Sequence, residues 1–448
     1  MKVRLRDAAA TANTGGARTR VVTALVLAGI GLIVLAGCGA DGSRPGTTRI
    51  LSDPLGSVPS MAIDWDLLRG VVGGHVADGA VPGAVLAIDL GGETRVAAVG
   101  EAGGKPMRGD AVVRLSSMTK PLVAALALML AEDGLLSPED LVERWIPELA
   151  ERRVLRRPDG PLDDTVPAER PIIVDDLLTM RMGFGFHLDG PCPALDEAAA
   201  LGLGVGPPDP ASPLTPDEWI SRLARLPLMY QPGTEWTYDL PFGVLGVLLA
   251  RAARRPLDAL LHERLLSPLG MADTGFAVPG HARERLIPCL TRDERGRLVP
   301  FDGTDDSRWN DPPAFPDARG GLVSTASDYL RFTRMLLADG RAPDGRRLLT
   351  PASITSMTTD HLDPRSPRST TARTFLRDGG WGHGVEVVAP HHGTGARTLR
   401  YGWGGGLGTV WYSFPRRDAA AVLLTQCLPP PAPLFDAFLT ALYRTLDA

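Results

Sequence analysis

The chain has 448 residues, of which 44% are hydrophobic and 22% charged, with a formal net charge of -5. This mild acidity, with no basic run beyond the N-terminus, argues against nucleic-acid binding. Four cysteines without a Cys/His pattern exclude a disulfide framework and indicate no metal site, and we expect no cofactor.

The N-terminus has the pattern of an export signal. The first 20 residues carry five basic side chains: Lys2, Arg4, Arg6, Arg18 and Arg20. Residues 21–37 form an uncharged apolar run, which ends in Leu35-Ala36-Gly37-Cys38. This ending resembles the lipobox of bacterial lipoproteins, in which the signal is cut before the cysteine and lipid is attached to it.

We therefore expect 1–37 to be a lipoprotein signal peptide and Cys38 to be the lipidated first residue of the mature protein. The anchor would place the chain on the outer face of the cytoplasmic membrane or in the periplasm of a bacterial cell envelope. An uncleaved signal anchor is the alternative, because about 17 apolar residues lie at the lower limit of what spans a bilayer. Both interpretations place the bulk of the chain outside the cytoplasm.

Beyond Cys38, residues 38–60 are rich in Gly, Pro and Ser and are predicted to be a flexible tether. Length alone would allow two domains in the rest, but 61–448 shows no linker-like break and no internal repeat. We expect it to form a single domain. No feature of the sequence indicates its oligomeric state.

The predicted elements at the two ends of this domain are similar. A helix is predicted over 62–78, followed by a hairpin of strands 84–90 and 94–100. A second hairpin, 409–414 and 419–426, precedes a closing helix at 433–446. Further helices are predicted at 119–133, 174–180, 244–254, 257–266 and 326–338. We expect an α+β architecture: an antiparallel sheet completed by both ends of the chain and flanked by helices, with a mostly helical subdomain.

A candidate nucleophile lies in the segment Ser116-Ser117-Met118-Thr119-Lys120-Pro121. Pro121 lacks an N–H and is tolerated in the first helical turn, so Ser117 is predicted at the N-terminus of helix 119–133. Residues three apart share a helix face, which brings the Lys120 amine to the Ser117 hydroxyl. A buried lysine with a lowered pKa can take the serine proton, and the helix N-terminus favours developing negative charge.

The alternative is that Ser117 only caps the helix and Lys120 is a solvated charge. Lysine is otherwise rare: the chain has three (Lys2, Lys105 and Lys120) among 47 basic residues. Arginine cannot give up its proton in a protein, whereas lysine can. This contrast favours a chemical role for Lys120.

Two later segments supply further candidate groups. Residues 231–240 place Tyr238 after a Pro-Gly turn and before a helical run. The glycine-rich residues 401–409 lead directly into a terminal strand, where an N–H could join that of Ser117 as an oxyanion hole. The structural alternatives are a half-buried core aromatic for Tyr238 and a flexible turn for the glycines.

These segments, in this order, resemble the class C β-lactamase-related serine hydrolases, which include family VIII carboxylesterases, certain D-aminopeptidases and penicillin-binding-type proteins. The resemblance runs from about residue 61 to the C-terminus and includes VRLSSMTKPLVAALALMLAEDG, LPLMYQPGTEWTY and GGLVSTASDYLRFTRMLLADG. It implies the serine β-lactamase/transpeptidase-like fold.

The resemblance also implies the site residues. Ser117 would be the acylated nucleophile, Lys120 its base, and Tyr238 the residue that passes a proton to the leaving group. Trp403-Gly404-Gly405 stands where β-lactamases carry Lys-Thr-Gly. The Gly406 N–H would complete the oxyanion hole.

Two departures from β-lactamases shift the expected substrate. Tyr-x-Asn is replaced by Tyr238-Asp239-Leu240, and Leu240 cannot hydrogen-bond a β-lactam side-chain amide. Trp403 cannot attract the β-lactam carboxylate as a lysine would, and Trp-Gly-Gly is the form of the esterase branch. We expect an esterase-like serine hydrolase acting on a small-molecule ester, amide or peptide-like substrate. The alternatives are a β-lactamase or D-Ala-D-Ala-type peptidase, and a non-catalytic penicillin-recognition or cell-wall-binding lipoprotein.

Three further features of the sequence are its remaining cysteines, a Pro/Gly-rich insert and its histidines. Cys192, Cys289 and Cys427 are an odd set, so at least one thiol is free or pairs between molecules. The Pro/Gly-rich insert 188–216 is a candidate for shaping substrate choice. His383 and the pair His391-His392 lack identifiable carboxylate partners, and we interpret them as structural or solvated.

Overall fold

A computed structural model describes residues 63–363, 368–377, 379–389 and 398–446. The predicted signal peptide, the tether, Cys38 and His391-His392 lie outside the described residues.

An eight-stranded antiparallel sheet forms the centre of the fold, in the order β10-β11-β12-β13-β14-β1-β2-β3. Its strands are β1 (Gly83–Leu90), β2 (Glu93–Ala102), β3 (Lys105–Pro106), β10 (Gly380–Trp381), β11 (Glu386–Val388), β12 (Arg400–Gly405), β13 (Thr409–Phe414) and β14 (Ala419–Leu424). The two predicted hairpins meet where β1 pairs with β14, with Val85 opposite Leu424. The expectation that both ends of the chain complete the sheet is confirmed.

Helices cover both faces of this sheet. Helix α1 (Trp65–Ala77) and the closing helix α12 (Ala432–Leu446) pack together on one face. Helix α9 (Ala326–Leu337) packs on the other face against β14 and β1. The β1 sequence is an almost continuous apolar run and its residues are buried along nearly the whole strand, as expected of a strand covered on both faces.

Three small sheets lie outside the main one. Strand β4 (Val113–Arg114) pairs with β9 (Val323–Ser324), and β5 (Arg153–Leu155) pairs with β6 (Thr165–Pro167). Strand β7 (Cys289–Arg292) lies between β8 (Leu298–Asp302) and β15 (Cys427–Leu428), and the β7–β15 pair is parallel. The parallel pair thus lies outside the main sheet, which is antiparallel as predicted.

The predicted helical subdomain lies between β4 and β9. Its α-helices are α2 (Thr119–Glu132), α3 (Val174–Leu178), α4 (Pro193–Ala200), α5 (Pro216–Ala224), α6 (Leu240–Ala253), α7 (Leu257–Leu261) and α8 (Ser267–Leu269). After α9, the helices α10 (Pro351–Met357) and α11 (Thr370–Leu376) precede β10. Among the described helices, none is long and apolar enough to span a bilayer.

Several predicted boundaries differ from the observed ones. Helix α6 begins at Leu240 rather than 244, because Pro241 is tolerated in a first turn. The predicted helix 257–266 is α-helical only to Leu261 and continues as a π-helical turn, His262–Leu266. The helix predicted at 174–180 ends at Leu178, and the strand predicted at 419–426 ends at Leu424.

Helix α2 positions the candidate nucleophile. It begins at Thr119, and Ser117 lies in a 3₁₀ turn, Ser116–Met118, directly ahead of it. Every residue from Thr119 to Leu130 is buried, as expected of a helix that is apolar on all sides and lies in the core. The start of α2 is therefore held rigidly at the boundary between sheet and helical subdomain.

Candidate active site

Ser117 and Lys120 form the pair that their spacing predicts. The Lys120 Nζ lies 3.1 Å from the Ser117 Oγ and donates to the Arg319 carbonyl at 2.6 Å. Lys120 is completely buried, whereas Ser117 is partly exposed and lines a cleft. The alternative of a solvated Lys120 is wrong, and a neutral Lys120 amine can donate to Arg319 while accepting the Ser117 proton.

Burial lowers the pKa of Lys120 to about 8, and the nearby carboxylates of Asp239 and Asp317 only partly oppose this effect. The Lys120 Nζ is 3.9 Å from the Asp239 carboxylate. At neutral pH a useful fraction of the amine is therefore unprotonated. A lysine in this state can act as a general base close to working pH.

Three charged residues around Lys120 were missed by the sequence reasoning. Asp239 and Asp317 are buried carboxyl groups, and Arg319 lies between them. The Arg319 guanidinium makes three hydrogen bonds to the Asp317 carboxylate, at 2.9, 3.1 and 2.7 Å, and approaches Asp239 to 3.9 Å. Burial raises the pKa of Asp239. Of these three residues, only Asp239 had a sequence signal that could have placed it in the site, namely its position next to Tyr238.

Tyr238 lies in the site with its hydroxyl paired. The Trp403 indole Nε1–H donates to the Tyr238 Oη at 2.9 Å, and the Lys120 Nζ lies 4.3 Å from the centre of the Tyr238 ring. Burial raises the pKa of Tyr238, although hydrogen bonding with Ser117 and Trp403 opposes the effect. Tyr238 is therefore a neutral phenol that can donate its proton, not merely a half-buried core aromatic.

The glycine strand runs alongside the nucleophile. A Cβ on Gly405 would lie 2.1 Å from the Leu115 carbonyl oxygen, so β12 approaches the backbone ahead of Ser117 too closely for any side chain there. The Thr409 hydroxyl donates to the same carbonyl at 2.8 Å. Trp403, Gly404, Gly405 and Gly406 line the cleft together with Ser117. Trp403, Gly404 and Gly405 thus belong to β12, and Gly406 begins the turn, 406–408, that joins β12 to β13.

The cleft has a volume of about 260 Å³. Aromatic side chains surround Tyr238: its ring stacks 6.1 Å from Phe186 and lies 4.8 Å from Phe375. Gly206 and Pro207 line the cleft as well, so the insert 188–216 reaches the site.

Other candidate groups lie away from this site. The buried His383 pairs with Asp175 at 3.0 Å and stacks on His361. No group of His, Cys, Asp and Glu within the described ranges could hold a metal ion. Cys192, Cys289 and Cys427 are all free and buried.

The fold and the buried Ser117–Lys120 pair define a serine hydrolase. The Beta-lactamase family model matches residues 68–444, and the chain belongs to this family. An uncharacterized protein of Mycobacterium tuberculosis is 39% identical over 335 residues, covering 73% of this chain and 80% of that protein.

Two further proteins similar to this chain are a named esterase and a named hydrolase. Esterase EstB of Burkholderia gladioli is 30% identical over 349 residues, covering 72% of this chain and 79% of that protein. The solved structure of EstCE1, described as a hydrolase with promiscuous acyltransferase activity, matches with a TM-score of 0.70 and 25% identity. That match covers 84% of this chain and 98% of EstCE1.

Proposed function

We propose that this chain is an esterase that forms an acyl-enzyme on Ser117. The observation that carries the proposal is the hydrogen bond from the Trp403 indole to the Tyr238 hydroxyl. Trp403 stands where β-lactamases carry a lysine. Its indole N–H is uncharged and already donates a hydrogen bond to Tyr238, so Trp403 cannot attract a substrate carboxylate as a lysine would. The similarity to EstB and EstCE1 supports the same conclusion.

In the proposed acylation, the neutral Lys120 amine takes the Ser117 proton while the Oγ attacks the ester carbonyl carbon. The backbone N–H groups of Ser117 and Gly406 stabilise the resulting oxyanion. The bond to the alcohol oxygen then breaks, and Tyr238 gives its proton to that oxygen. Since the pKa of Tyr238 is raised, the phenolate quickly recovers a proton from the Lys120 ammonium.

Deacylation reverses these roles. A water molecule loses a proton to the same Lys120–Tyr238 pair and attacks the acyl carbon, and Ser117 leaves with the proton. The Trp403 N–H stabilises the phenolate whenever Tyr238 is deprotonated. No metal or cofactor takes part in the proposed cycle.

The β-lactamase and peptidase alternatives are less well supported by this geometry. Leu240 is completely buried at the start of α6 and carries no hydrogen-bonding group. The cations near Ser117 are Lys120, assigned here as the base, and Arg319, which is bound to Asp317. A substrate carboxylate would find no free cation there among the described residues.

The test compares ester and β-lactam turnover by one preparation. We expect kcat/KM for a short-chain aryl ester to exceed that for nitrocefin at least about tenfold, a difference of about 1.4 kcal/mol in transition-state binding. The variant Ser117→Ala measures background hydrolysis. Mass spectrometry after exposure to a fluorophosphonate should show one adduct, absent from this variant. A preference for nitrocefin would restore the β-lactamase assignment, and no turnover with no adduct would support the non-catalytic alternative.

We also propose that the chain is exported and anchored in the cell envelope through lipid on Cys38. The support is the sequence alone: a basic N-terminus, an apolar run and Leu35-Ala36-Gly37-Cys38.

A further inference from the structure

The cleft continues well beyond the catalytic residues. From Trp403 it follows β12 back to Arg400, a distance of roughly 10 Å at about 3.3 Å per residue. At its far end it is lined by Tyr412 of β13 and by Phe435 and Leu439 of α12. We call this part of the cleft, from Phe375 and Trp403 to Leu439, the distal arm.

The distal arm exists for two reasons. Strand β11 stops short of residues 403–405 of β12, and Gly404 has no side chain. Strand β11 pairs with β12 only as far as Gly402, so no strand within the described residues pairs with this edge of residues 403–405. Gly404 pairs with Val410 and shares its sheet face, which α12 covers. A Cβ on Gly404 would make ordinary contacts, 3.4 Å to the Thr409 carbonyl oxygen. Neighbouring atoms would therefore tolerate a side chain at position 404. Because glycine has none, space remains under α12.

The position of Tyr238 identifies which part of an ester this space receives. In the proposed mechanism Tyr238 protonates the leaving alcohol oxygen, so the alcohol must lie on the Tyr238 side of the carbonyl carbon. The Phe375 ring is 4.8 Å from the Tyr238 ring and begins the distal arm. The oxyanion donor Gly406 lies beyond the opposite end of β12. The distal arm is therefore on the leaving-group side.

The insert 188–216 bounds the cleft beside the nucleophile. Gly206 and Pro207 line the cleft together with Ser116. Their segment is held in place by Arg319, which donates to the Gly204 carbonyl at 2.8 Å. Space next to the nucleophile is thus limited by a tethered loop, which favours a small acyl group.

The charges of the distal arm are balanced. Two cations line it, and each is paired: Arg400 with Glu386 at 2.9 Å and Arg377 with Asp436 at 2.9 Å. The Arg400 guanidinium also lies 4.9 Å from the centre of the Tyr412 ring. Apart from Thr374, the remaining side chains that line this part of the cleft are aromatic or aliphatic, which favours an uncharged apolar ligand.

We propose that the distal arm binds the alcohol portion of the substrate, and that this enzyme selects esters joining a small acyl group to a bulky, uncharged, apolar alcohol. This inference rests on the proposed esterase function and specifies its substrate class. In acylation the Ser117 Oγ bonds to the acyl carbon, the bond from that carbon to the alcohol oxygen breaks, and the alcohol leaves the distal arm carrying the Tyr238 proton.

Two isomeric esters test the proposal. In 2-naphthylmethyl acetate the naphthyl group is on the alcohol, and in methyl 2-naphthylacetate it is on the acyl group, with both leaving groups being simple alkoxides. We expect kcat/KM to be at least about tenfold higher for 2-naphthylmethyl acetate. Equal turnover of the two isomers, or a preference for methyl 2-naphthylacetate, overturns the proposal while leaving the esterase function intact.

A variant of the arm itself supplies the second test. Leu439→Trp should narrow the distal arm and lower kcat/KM for 2-naphthylmethyl acetate at least about fivefold more than kcat/KM for ethyl acetate. Thr440→Trp is the matched control, because Thr440 is the exposed neighbour on α12 and does not line the cleft. Melting curves check that both variants fold.

The possible outcomes distinguish a failure of the proposed alcohol site from a failure of the proposed esterase function. If Leu439→Trp folds and hydrolyses 2-naphthylmethyl acetate like Thr440→Trp, the distal arm is not the alcohol site. If the wild-type protein hydrolyses neither isomer, nor ethyl acetate, and forms no fluorophosphonate adduct, the proposed function itself fails.

Discussion

At the scale of single residues, Lys120 owes its proposed role to its surroundings. A solvated lysine has a pKa near 10.4 and is almost fully protonated at pH 7. Complete burial lowers the pKa of Lys120 to about 8, while Asp239 and Asp317 limit how far it falls. The same burial keeps Tyr238 protonated. One low-dielectric site therefore provides both a base and a proton donor.

Replacing Lys120 distinguishes a base from a positive charge. We expect Lys120→Arg to lose at least about a hundredfold in ester turnover, because arginine retains its proton. Fitting arginine into this fully buried site should lower the free energy of unfolding by about 1–3 kcal/mol. Lys120→Met is therefore made as well, because methionine has a volume similar to that of lysine but has no amine. Single-turnover acylation is measured beside melting curves. A folded Lys120→Arg protein that acylates at nearly the wild-type rate would show that Lys120 is not the base.

The pH dependence of acylation should report the state of Lys120. Below its folded pKa of about 8 the amine is protonated and cannot accept the Ser117 proton, so kcat/KM for a neutral ester should rise with pH and level off above that value.

Asp239→Asn tests the origin of this midpoint. The Asp239 carboxylate raises the pKa of Lys120, against the larger lowering by burial. Its removal should therefore move the midpoint of the pH profile to lower pH. Asp217→Asn is the control, because its side chain is 81% exposed and pairs with Arg251 on the surface. A midpoint that stays unchanged in Asp239→Asn, or moves equally in Asp217→Asn, contradicts the electrostatic account.

At the scale of elements, the site depends on how closely β12 lies against the turn that carries Ser117. The Thr409 hydroxyl bonds the Leu115 carbonyl, the Leu115 N–H donates to the Leu322 carbonyl at 2.8 Å, and the Tyr329 hydroxyl donates to the Met118 carbonyl at 3.0 Å. Three separate segments therefore fix the backbone on either side of Ser117. An oxyanion hole of backbone N–H groups needs this rigidity.

Two neighbouring glycines test that close approach. A Cβ at 405 would meet the Leu115 carbonyl at 2.1 Å, whereas one at 404 would meet its nearest neighbour at 3.4 Å. We expect Gly405→Ala to lower the free energy of unfolding by about 1–3 kcal/mol and to impair acylation, because backbone must shift. Gly404→Ala should change stability by less than about 0.5 kcal/mol. Urea unfolding measures both, and equal effects would contradict the crowding argument.

At the scale of the whole molecule, the site gathers groups from distant parts of the chain. Ser117 and Lys120 come from the start of α2, Tyr238 from the loop before α6, the Arg319 carbonyl from the segment before β9, and Trp403 from β12. These segments meet where the helical subdomain packs on the main sheet. Relative movement of the two would separate Lys120 and the Ser117 N–H from the Gly406 N–H, the other proposed oxyanion donor.

The location of the whole protein depends on its N-terminus. We expect Cys38→Ala to abolish incorporation of a fatty-acid analogue and to leave the signal uncleaved at that site. Cys192→Ala is the control, because Cys192 is a buried free thiol of the folded domain. Metabolic labelling followed by membrane fractionation measures both. Equal labelling of the two variants would favour the uncleaved signal anchor.

The sequence by itself determined the local features of this protein. Apolar runs separated by turn residues placed the two terminal hairpins, and helical patterns placed α1, α2, α9 and α12, within a few residues. Both signals depend on neighbours along the chain. The three-residue spacing of Ser117 and Lys120 predicted their contact for the same reason. The glycines of 404–406 and Tyr238 were predicted through resemblance, and their geometry needed the fold.

Only the tertiary structure decided the electrostatics and the shape of the cleft. The Trp403–Tyr238 hydrogen bond joins residues 165 positions apart, and the Lys120–Arg319 bond joins residues 199 apart. Burial, which lowers the pKa of Lys120, is a property of all the segments packed around it. The distal arm likewise depends on where β11 stops pairing and how α12 lies over Gly404. Such contacts carry no local sequence period, so only the folded chain reveals them.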